Sequence, residues 1–399
     1  MFKLWNHQKD GVELFTKLKR MYAYWDTGTG KTRFACACMD ALLSNYTLIV
    51  CPKNVFISWE SELEFYGIRN HRFSIMSYEK FRNHMTEREF KLYDFIIFDE
   101  AHRLKSNKAK VSKLALRLRQ KFPDIPCLML SGTPADKWHE LLFPFNILCP
   151  NQRPFMSGYS VLLHRYFFLD NFFNPTRLKV SEDNYIALFK PFLNIVKRED
   201  VIELPELSNI VIKTEPIRKP NAIELASSSS INILAQFIAK YQIAQGVCDG
   251  KVFNHTKLAW VIEFLKDNPD TVVFSNFVAP VKELTKHVDG YFITGDDKKQ
   301  LVECVNKQDK PLIATYCIKE GLNLQRYRNV VFLSLPLAYR DYVQSLSRVY
   351  RAGQKNKVVV YHLLGNAIDN KVYQILQAKK DVTDVLRDSQ FNLEELLYK

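Results

Sequence analysis

The chain has 399 residues, 47% of them hydrophobic and 25% charged, which excludes a disordered or fibrous protein and favours two domains, since one core rarely serves so long a chain. Its 56 lysines and arginines exceed its 43 aspartates and glutamates, and the net charge of +13 suits either a polyanionic partner or a generic basic surface. No apolar run reaches the roughly 20 residues of a membrane helix and no signal peptide is recognisable, so we expect a cytoplasmic protein.

The first 150 residues alternate short apolar runs with helical stretches, a pattern typical of a parallel sheet covered by helices. Four of the apolar runs lead directly into a motif, which places those motifs at the carboxyl ends of strands, where open α/β sheets bind ligands. The predicted strands are Met21–Trp25, Thr47–Cys51, Phe73–Met76, Phe95–Phe98 and Cys127–Leu130.

A phosphate-binding loop follows the first predicted strand. Gly28 and Gly30 let backbone amides turn towards phosphate oxygens, Lys31 is placed to reach the β- and γ-phosphates, and the Thr32 hydroxyl is placed to bind magnesium. The helix that follows adds the attraction of its N-terminus for an anion. Trp25 replaces the first glycine of the usual GxxxxGK(S/T) pattern. The prediction of ATP binding therefore rests on the remaining GxGKT sequence and on its position after an apolar strand.

An acidic box follows the fourth predicted strand, where Asp99, Glu100 and His102 occur together. Asp99 suits a magnesium contact through water. Glu100 suits orienting and deprotonating the water that attacks a phosphate. His102 has weaker support, because a lone histidine is often a hydrogen-bonded core residue.

The middle of the chain, residues 151–254, lacks the alternation of strands and helices. Its aromatic residues at 166–168 and 172–173 could stack on bases, but we expect them to form the core of a small helical subdomain. Prolines at 205, 216 and 220 indicate a linker.

A second series of strands predicts a second α/β lobe over residues 255–365, after a first lobe over 1–150. The rest, 366–399, reads as a helical tail with a short apolar helix at Leu393–Leu397. The predicted strands of the second lobe are Thr271–Phe274, Tyr291–Ile293, Leu312–Ala314, Val330–Leu333 and Val358–His362.

Arg348 and Arg351 are three residues apart, a spacing that places two side chains on one face of a helix. From the opposite lobe, such arginines can stabilise the transferring phosphoryl group, with an effect of about 10³–10⁵ on rate. A solvated basic face is the alternative, and the flanking Gln344, Gly353 and Gln354 favour the catalytic interpretation.

The eight cysteines include no CxxC pair. Cys36 and Cys38 fall in a helical pattern, and Cys51, Cys127 and Cys317 fall in or beside apolar strands. We expect buried free thiols in a reducing compartment and neither zinc ligands nor disulfides.

In their order these motifs resemble those of the Swi/Snf-type ATPases, DNA-translocating members of helicase superfamily two. In the phosphate loop, Thr27 and Thr29 stand where the family usually has a bulky apolar residue and a leucine. Ile318 and Lys319 stand where its fifth motif usually has two glycines. A third departure is the short region between the lobes. The blocks that carry the resemblance are His7-Gln8 (similar to the adenine-reading glutamine block), the phosphate loop, Leu48–Lys53 with Trp59, Ser77–Glu79, the acidic box, Leu130–Pro134 (the third motif, which contains Ser-Gly-Thr-Pro), Lys190–Phe192, Lys197–Val201 with Leu204-Pro205, Val273–Phe277, Gly321–Leu324 (the fifth motif) and Gln344–Gln354.

The resemblance implies an α/β fold of two RecA-like parallel-sheet lobes with a small helical insertion, and ATP and Mg²⁺ as cofactors. Lys31, Glu100, Arg348 and Arg351 are then catalytic, and Thr32 and Asp99 hold the metal. The residues implied to bind ATP are Gln8, Gly28, Thr29, Gly30, Lys31, Thr32, Asp99 and Gly321. Those implied to contact DNA phosphates are Lys53, Asn54, Thr133, Ser275 and Thr315.

We therefore expect a monomeric, DNA-dependent ATPase that translocates on double-stranded DNA without sequence preference and without separating the strands. A strand-separating, branch-migrating, annealing or RNA-directed helicase of the same fold is the alternative. A nucleic-acid-binding module that no longer hydrolyses ATP is an alternative of another class, and a small-molecule kinase would have no use for a second lobe. We expect a bacterial or viral origin, since no chromatin-reading module is recognisable.

Overall fold

The computed structural model describes residues 4–67, 72–132, 137–215, 233–248, 250–297, 299–318 and 323–378. The chain divides into two compact units, with the boundary between Ile202 and Glu203. No helix among the described residues is long and apolar enough to cross a membrane.

The first unit is built on a six-stranded parallel sheet with the strand order β3-β2-β4-β5-β1-β8. Its strands are β1 Arg20–Trp25, β2 Tyr46–Cys51, β3 Arg72–Ser77, β4 Phe95–Asp99, β5 Cys127–Ser131 and β8 Leu193–Val196. Its helices are α1 Asn6–Leu18, α2 Lys31–Ala41, α3 Phe56–Tyr66, α4 Tyr78–His84, α5 Glu87–Phe90, α6 Lys110–Lys121, α7 Leu142–Leu148, α8 Tyr159–Tyr166, α9 Glu182–Ala187 and α10 Arg198–Val201. A short antiparallel hairpin joins β6 Phe167–Leu169 to β7 Pro175–Leu178.

The central strands of this sheet are apolar along their whole length because both faces of the sheet are covered. Alternate residues of β2 enter opposite cores: Leu48 and Val50 pack in one, Ile49 and Cys51 in the other. All five residues of β4 are buried, including Asp99 at its carboxyl end. The charged residue of β4 therefore lies at the carboxyl edge of the sheet.

The second unit repeats this design with the strand order β13-β14-β12-β15-β16-β9, again all parallel. Its strands are β9 Leu207–Lys213, β12 Thr271–Ser275, β13 Tyr291–Ile293, β14 Leu312–Thr315, β15 Asn329–Phe332 and β16 Val358–Leu364, with a separate hairpin of β10 Val247–Cys248 and β11 Lys251–Val252. Its helices are α11 Ile233–Ala244, α12 Thr256–Asp267, α13 Val278–Leu284, α14 Leu301–Lys307, α15 Tyr339–Val349 and α16 Ala367–Gln377. The expected fold class, two parallel-sheet lobes, is confirmed.

Residues 151–254, interpreted above as one insertion with a linker, contribute to both sheets. β8 is the edge strand beside β1, and β9 is the edge strand beside β16. Both are only partly buried, so neither shows the continuous apolar run by which a central strand is recognised. The tail expected after residue 365 begins with α16, while the apolar helix expected at Leu393–Leu397 lies outside the described residues.

The prediction for the aromatic cluster is wrong in part. Phe167 is buried, as expected of a core residue, but Phe172 is 84% exposed and Phe173 72% exposed. The reason is that residues 170–174 form the tip of the β6–β7 hairpin, which lies on the surface of the first unit.

The seven cysteines whose side chains are described are free thiols, and all except Cys317 are buried. Burial raises the pKa of the Cys36 and Cys51 thiols well above the ordinary value. The expectation of buried free thiols is confirmed for six of the seven residues and is wrong for Cys317, which is partly exposed.

Candidate ATP site and nucleic-acid interface

The phosphate loop lies between β1 and α2, as the sequence predicts. Gly30 has a left-handed backbone, φ +77°, and immediately precedes the first residue of α2. Lys31 Nζ donates hydrogen bonds to the carbonyl oxygens of Trp25 at 2.8 Å and Asp26 at 3.0 Å. Thr32 is the second residue of the helix. The loop thus holds an ammonium group beside a helix N-terminus, the arrangement that binds phosphate.

Trp25 occupies the position of the missing first glycine without closing the loop. Its side chain is fully buried, stacks on Phe34 with ring centroids 4.3 Å apart, and donates through Nε1 to Asn194 Oδ1 at 2.5 Å. The indole therefore lies in the core, away from the phosphate side. Asn194, on β8, was not recognisable from the sequence.

Helix α1 packs against the loop through His7 and Gln8. His7 Nε2 bonds to the carbonyl oxygen of Thr29 at 2.9 Å, and Gln8 Nε2 donates to that of Gly30 at 3.0 Å. A Cβ atom at residue 30 would lie 2.3 Å from Gln8 Nε2, so a larger residue there would displace the Gln8 amide and would also be strained at this positive φ. Gln8 also accepts from the backbone N–H of Trp5 at 2.9 Å. The predicted adenine-reading residue thus supports the loop directly.

The acidic box lies at the carboxyl end of β4. Glu100 has a left-handed backbone, φ +52°, which is unfavourable for a residue with a side chain and recurs at functional sites. This turn brings Glu100 Oε2 to 3.2 Å from His102 Nδ1. His102 Nδ1 also lies 3.3 Å from Ser131 Oγ, at the end of β5. His102 therefore links the acidic box to the Ser-Gly-Thr-Pro segment.

Asp99 is buried and held by two hydrogen bonds. Trp59 Nε1 donates to Asp99 Oδ2 at 2.9 Å, and the backbone N–H of Glu100 donates to Oδ1 at 2.9 Å. Burial, followed by the neighbouring charge of Glu100, raises the pKa of Asp99 to about 6. A buried carboxylate with a raised pKa beside Lys31 fits the binding of a divalent cation, which favours the charged form.

Two further segments contact the loop. A Cβ atom at Gly132 would lie 3.5 Å from Lys31 Nζ and 3.1 Å from Thr27 Cγ2, so the third motif approaches the ammonium closely. Asp26 Oδ2 accepts from the backbone N–H of Arg198 at 2.9 Å. The Lys197–Val201 block, whose role the sequence did not reveal, thereby fixes the beginning of the phosphate loop.

The arginine block of the second unit differs from the expectation of one shared helical face. Arg348 lies in the last turn of α15, but the helix ends at Val349 and Arg351 lies beyond it. The helix stops because Gln354 Nε2 donates to the carbonyl oxygens of Tyr327 at 2.9 Å and Val349 at 3.2 Å, and Gly353 takes φ +93°.

The two arginines are nevertheless electrostatic neighbours. Burial, and then the charge of Arg348, lowers the pKa of Arg351 to about 10, so the guanidinium is charged at neutral pH. Arg351 Nη1 donates to Asn323 Oδ1, within the fifth motif. The block therefore joins α15 to the fifth motif inside the second unit.

The residues predicted to contact DNA divide into three groups. Lys53 and Asn54 are exposed, in a 3₁₀ turn after β2. Ser275 and Thr315 are buried at the ends of β12 and β14, and Ser275 Oγ donates to the carbonyl oxygen of Phe277 at 2.9 Å, so it supports a turn. Thr133, like the predicted ATP ligand Gly321, lies outside the described residues.

A basic groove on the first unit was not predicted. A 410 Å³ cleft containing Lys53 and Lys80 is lined by Phe56, Ser77, Glu79, Asn83 and His84. It shares Asn83 with a 620 Å³ groove lined by Arg82, Asn83, Lys110, Lys113, Leu114 and Arg117. The residues at 110, 113 and 117 lie along one face of α6, because three and four are the helical spacings. The helical spacing of these three basic residues is the sequence signal from which the groove could have been predicted.

Comparison with known proteins agrees with this architecture. Residues 56–141 match the family described as DEAD/DEAH box helicase, and residues 256–353 match the helicase conserved C-terminal domain. A protein of Acanthamoeba polyphaga mimivirus named as an ATP-dependent RNA helicase is 22% identical, covering 89% of this chain and 77% of its own. The SWI/SNF-related matrix-associated actin-dependent regulator of chromatin subfamily A-like protein 1 of Drosophila melanogaster is 23% identical over 94% of this chain. The chain spans 55% of that fly protein.

Among solved structures, the Sulfolobus solfataricus SWI2/SNF2 ATPase core in complex with dsDNA is 18% identical and covers 100% of this chain and 97% of its own, with a TM-score of 0.45. The fold assignment rests on the two parallel sheets of the chain itself. The two family matches fall in order on the two units, and the chain is a helicase-like, ATP-hydrolysing enzyme of superfamily two. Its resemblance to the Swi/Snf-type ATPases rests on the order of its motifs and on the similarity to the fly protein.

Proposed function

We propose that the chain is a DNA-dependent ATPase that translocates on double-stranded DNA and remodels DNA or protein–DNA complexes. The observation that carries the proposal is the placement of Lys31, Asp99 and Glu100 at the carboxyl ends of β1 and β4, the two strands that flank β5 in one parallel sheet. The basic groove on the same unit supports a polyanionic track. The Sulfolobus core was solved in complex with dsDNA, a partner of the kind proposed here.

In the proposed reaction the chain positions a phosphate chain and a water molecule. Lys31 and the amides of residues 28–32 hold the β- and γ-phosphates. Glu100, oriented by His102, takes the proton of the attacking water. Asp99 and Thr32 would hold Mg²⁺, which neutralises charge on the phosphates. Arg348 and Arg351 are proposed to stabilise the transferring phosphoryl group.

DNA binding is proposed to be sequence-independent, because lysine and arginine contacts to phosphates carry no base information. Of the described residues that were predicted to contact DNA, the exposed Lys53 and Asn54 are the ones that we propose as phosphate contacts. The cations of the basic groove extend that surface. Affinity should therefore fall linearly with salt on a log–log plot. We also propose that the chain acts as a monomer.

An RNA-directed helicase is the second candidate, since the mimivirus relative is named as an RNA helicase. A binding module without hydrolysis is less consistent with the chain, because Lys31, Asp99 and Glu100 are all present and in contact with their supporting residues. ATP turnover measured with blunt duplex DNA, single-stranded DNA, forked DNA and RNA tests the proposal. Strongest stimulation by duplex or forked DNA is expected, whereas stimulation by RNA alone would contradict it.

A further inference from the structure

The tip of the β6–β7 hairpin exposes two aromatic rings that lie outside the hydrophobic cores of the first unit, with Phe173 beside the exposed His164 ring at 6.4 Å between centroids. Phe172 is the most exposed large hydrophobic side chain among the described residues, at 84%, and Phe173 is exposed by 72%. Phe173 also has a left-handed backbone, φ +60°, which is unfavourable for a bulky side chain and points to function when the surroundings enforce it.

The backbone of the tip is fixed by Asp170. Its Oδ1 accepts hydrogen bonds from the backbone N–H groups of Phe172 and Asn174, both at 2.8 Å. Its Oδ2 accepts from Asn174 Nδ2 at 3.0 Å, and the backbone N–H of Phe173 donates to its carbonyl oxygen at 3.0 Å. The two rings are therefore presented on a defined turn and not on an unstructured loop.

The base of the hairpin is anchored in the core of the first unit. Phe167 packs against Tyr185 with ring centroids 5.4 Å apart, and Tyr185 Oη donates to the carbonyl oxygen of Trp138 at 2.9 Å. Trp138 opens the 3₁₀ turn that follows the third motif. In that turn Glu140 accepts a hydrogen bond from Lys105 at 2.9 Å, so the hairpin is attached near segments that line the ATP site.

The charge around the rings favours a polyanion. Arg177 lies over the Phe168 ring with its Cζ 4.4 Å from the centroid, and Lys179 Nζ lies 5.4 Å from it. Arg165, Arg177 and Lys179 are all exposed, while Asp170, the one carboxylate between them in the sequence, is engaged in the turn. Aromatic rings for stacking, flanked by cations for phosphates, are the two components of a surface that binds unpaired nucleic-acid strands.

We propose that this hairpin stacks on unpaired bases where duplex DNA meets a single strand. The inference rests on the proposed function and specifies its substrate: a branched or tailed duplex in preference to a blunt one. Phe172 and Phe173 bind the bases, and Arg177 and Lys179 bind the adjoining phosphates. Phe168 serves as a platform for the two cations.

The test compares a labelled blunt duplex with the same duplex carrying a single-stranded arm. Replacing both rings, Phe172→Ala with Phe173→Ala, should reduce affinity for the armed duplex by about tenfold or more, given the usual strength of base–aromatic stacking. Affinity for the blunt duplex and the ATP turnover that it stimulates should not change. The ring-retaining pair Phe172→Tyr with Phe173→Tyr should bind the armed duplex nearly as well as the unmodified protein.

Leu43→Ala is the matched control, because Leu43 is 77% exposed and also has a left-handed backbone, φ +51°. It should bind both DNAs normally. The inference would be overturned if the double alanine variant bound the armed duplex as tightly as the unmodified protein does. It would also be overturned if the unmodified protein were a dimer and the variant a monomer, because the rings would then serve self-association. Absence of DNA-stimulated ATP turnover in the unmodified protein would instead contradict the proposed function.

Discussion

Replacing Lys31 and replacing Glu100 should impair different steps, nucleotide binding in the first case and hydrolysis in the second. Lys31→Ala removes the ammonium that the loop holds through the carbonyls of Trp25 and Asp26, so both nucleotide binding and turnover should be lost. Glu100→Gln keeps the shape and the metal ligand Asp99, so ATP should still bind while hydrolysis falls by about 10²–10⁴. Equilibrium binding of labelled ATP, measured beside turnover, separates the two.

Arg33→Ala is the control for this comparison, because Arg33 lies on the same helix but pairs with Glu62 at 2.5 Å. It should retain nucleotide binding. If Glu100→Gln lost ATP affinity as severely as Lys31→Ala, Glu100 would be a structural residue and the left-handed turn at residue 100 would serve only to form the loop.

Asp99 predicts a pH dependence of metal-assisted nucleotide binding. Its pKa is raised to about 6, so the carboxylate is charged above that pH and protonated below it. Magnesium requires the charged form, and Mg²⁺-dependent ATP affinity should therefore fall as the pH drops through about 6. The sign for stability is opposite: burial disfavours the charged form, so protonation of Asp99 favours the folded state.

Trp59→Phe tests whether the hydrogen bond from Trp59 helps to set the pKa of Asp99. The indole donates to the charged carboxylate, so its removal should raise the pKa of Asp99 further and move the pH midpoint of binding upwards. ATP binding measured without Mg²⁺ over the same pH range supplies the control for the protonation of ATP itself. An unchanged midpoint in Trp59→Phe would show that the hydrogen bond does not set the charge of Asp99.

Arg351→Ala should lower the rate of hydrolysis more than it lowers ATP affinity. The guanidinium is charged at neutral pH, since its pKa stays at about 10, and charge of this kind acts mainly on the transition state. Arg340→Ala, at the opposite end of α15, is the matched control. A loss of affinity in Arg351→Ala equal to its loss of rate would assign the arginine to ground-state binding.

At the scale of elements, helix α6 should determine part of the DNA affinity. Lys113→Ala with Arg117→Ala removes two exposed cations of the groove, and the nearby carboxylate of Glu87 is already bonded to Lys121. The variant should bind duplex of any sequence more weakly, and the log–log salt slope should decrease by about two, one for each lost phosphate contact. Lys17→Ala, which pairs with Glu13 on α1, is the control. An unchanged slope would exclude the groove from the DNA track.

The elements also show which parts of the fold a sequence can reveal. The central strands β2, β4 and β12 were predicted nearly to the residue, because strands buried on both faces are apolar throughout. The edge strands β8 and β9 were missed, because partial exposure allows polar residues such as Asn194 and Asn209. The phosphate loop and the acidic box were predictable because their chemistry depends on residues close together in sequence.

Features that depend on distant contacts were not predictable. Gln354, which follows α15, bonds to the carbonyl oxygen of Tyr327, far away in the sequence, as well as to that of Val349. The helix ends at Val349, so the spacing of Arg348 and Arg351 alone wrongly predicted one shared helical face. The buried hydroxyl of Ser275 and the exposed rings of Phe172 and Phe173 likewise follow from packing. An aromatic cluster has the same sequence signature whether it lies in a core or at the tip of a hairpin.

For the whole molecule, we predict translocation along duplex DNA without processive strand separation. Opening a duplex costs about 1.4 kcal/mol for each base-pair step, whereas stacking on an aromatic ring contributes about 1–3 kcal/mol for each base. Two rings at a hairpin tip can therefore hold one or two bases at an existing junction, but they do not offset the opening of many base pairs.

A labelled triplex and a labelled tailed duplex, compared under the same conditions, test this prediction. A third strand in the major groove should be displaced when ATP is supplied, because a motor that follows the phosphate backbone must push it aside, while the tailed duplex stays paired. Glu100→Gln should displace neither, which shows that displacement requires turnover. Efficient release of single strand from the tailed duplex, without triplex displacement, would favour a strand-separating helicase and would make the hairpin a wedge, since only an element that splits the duplex can convert movement into separated strands.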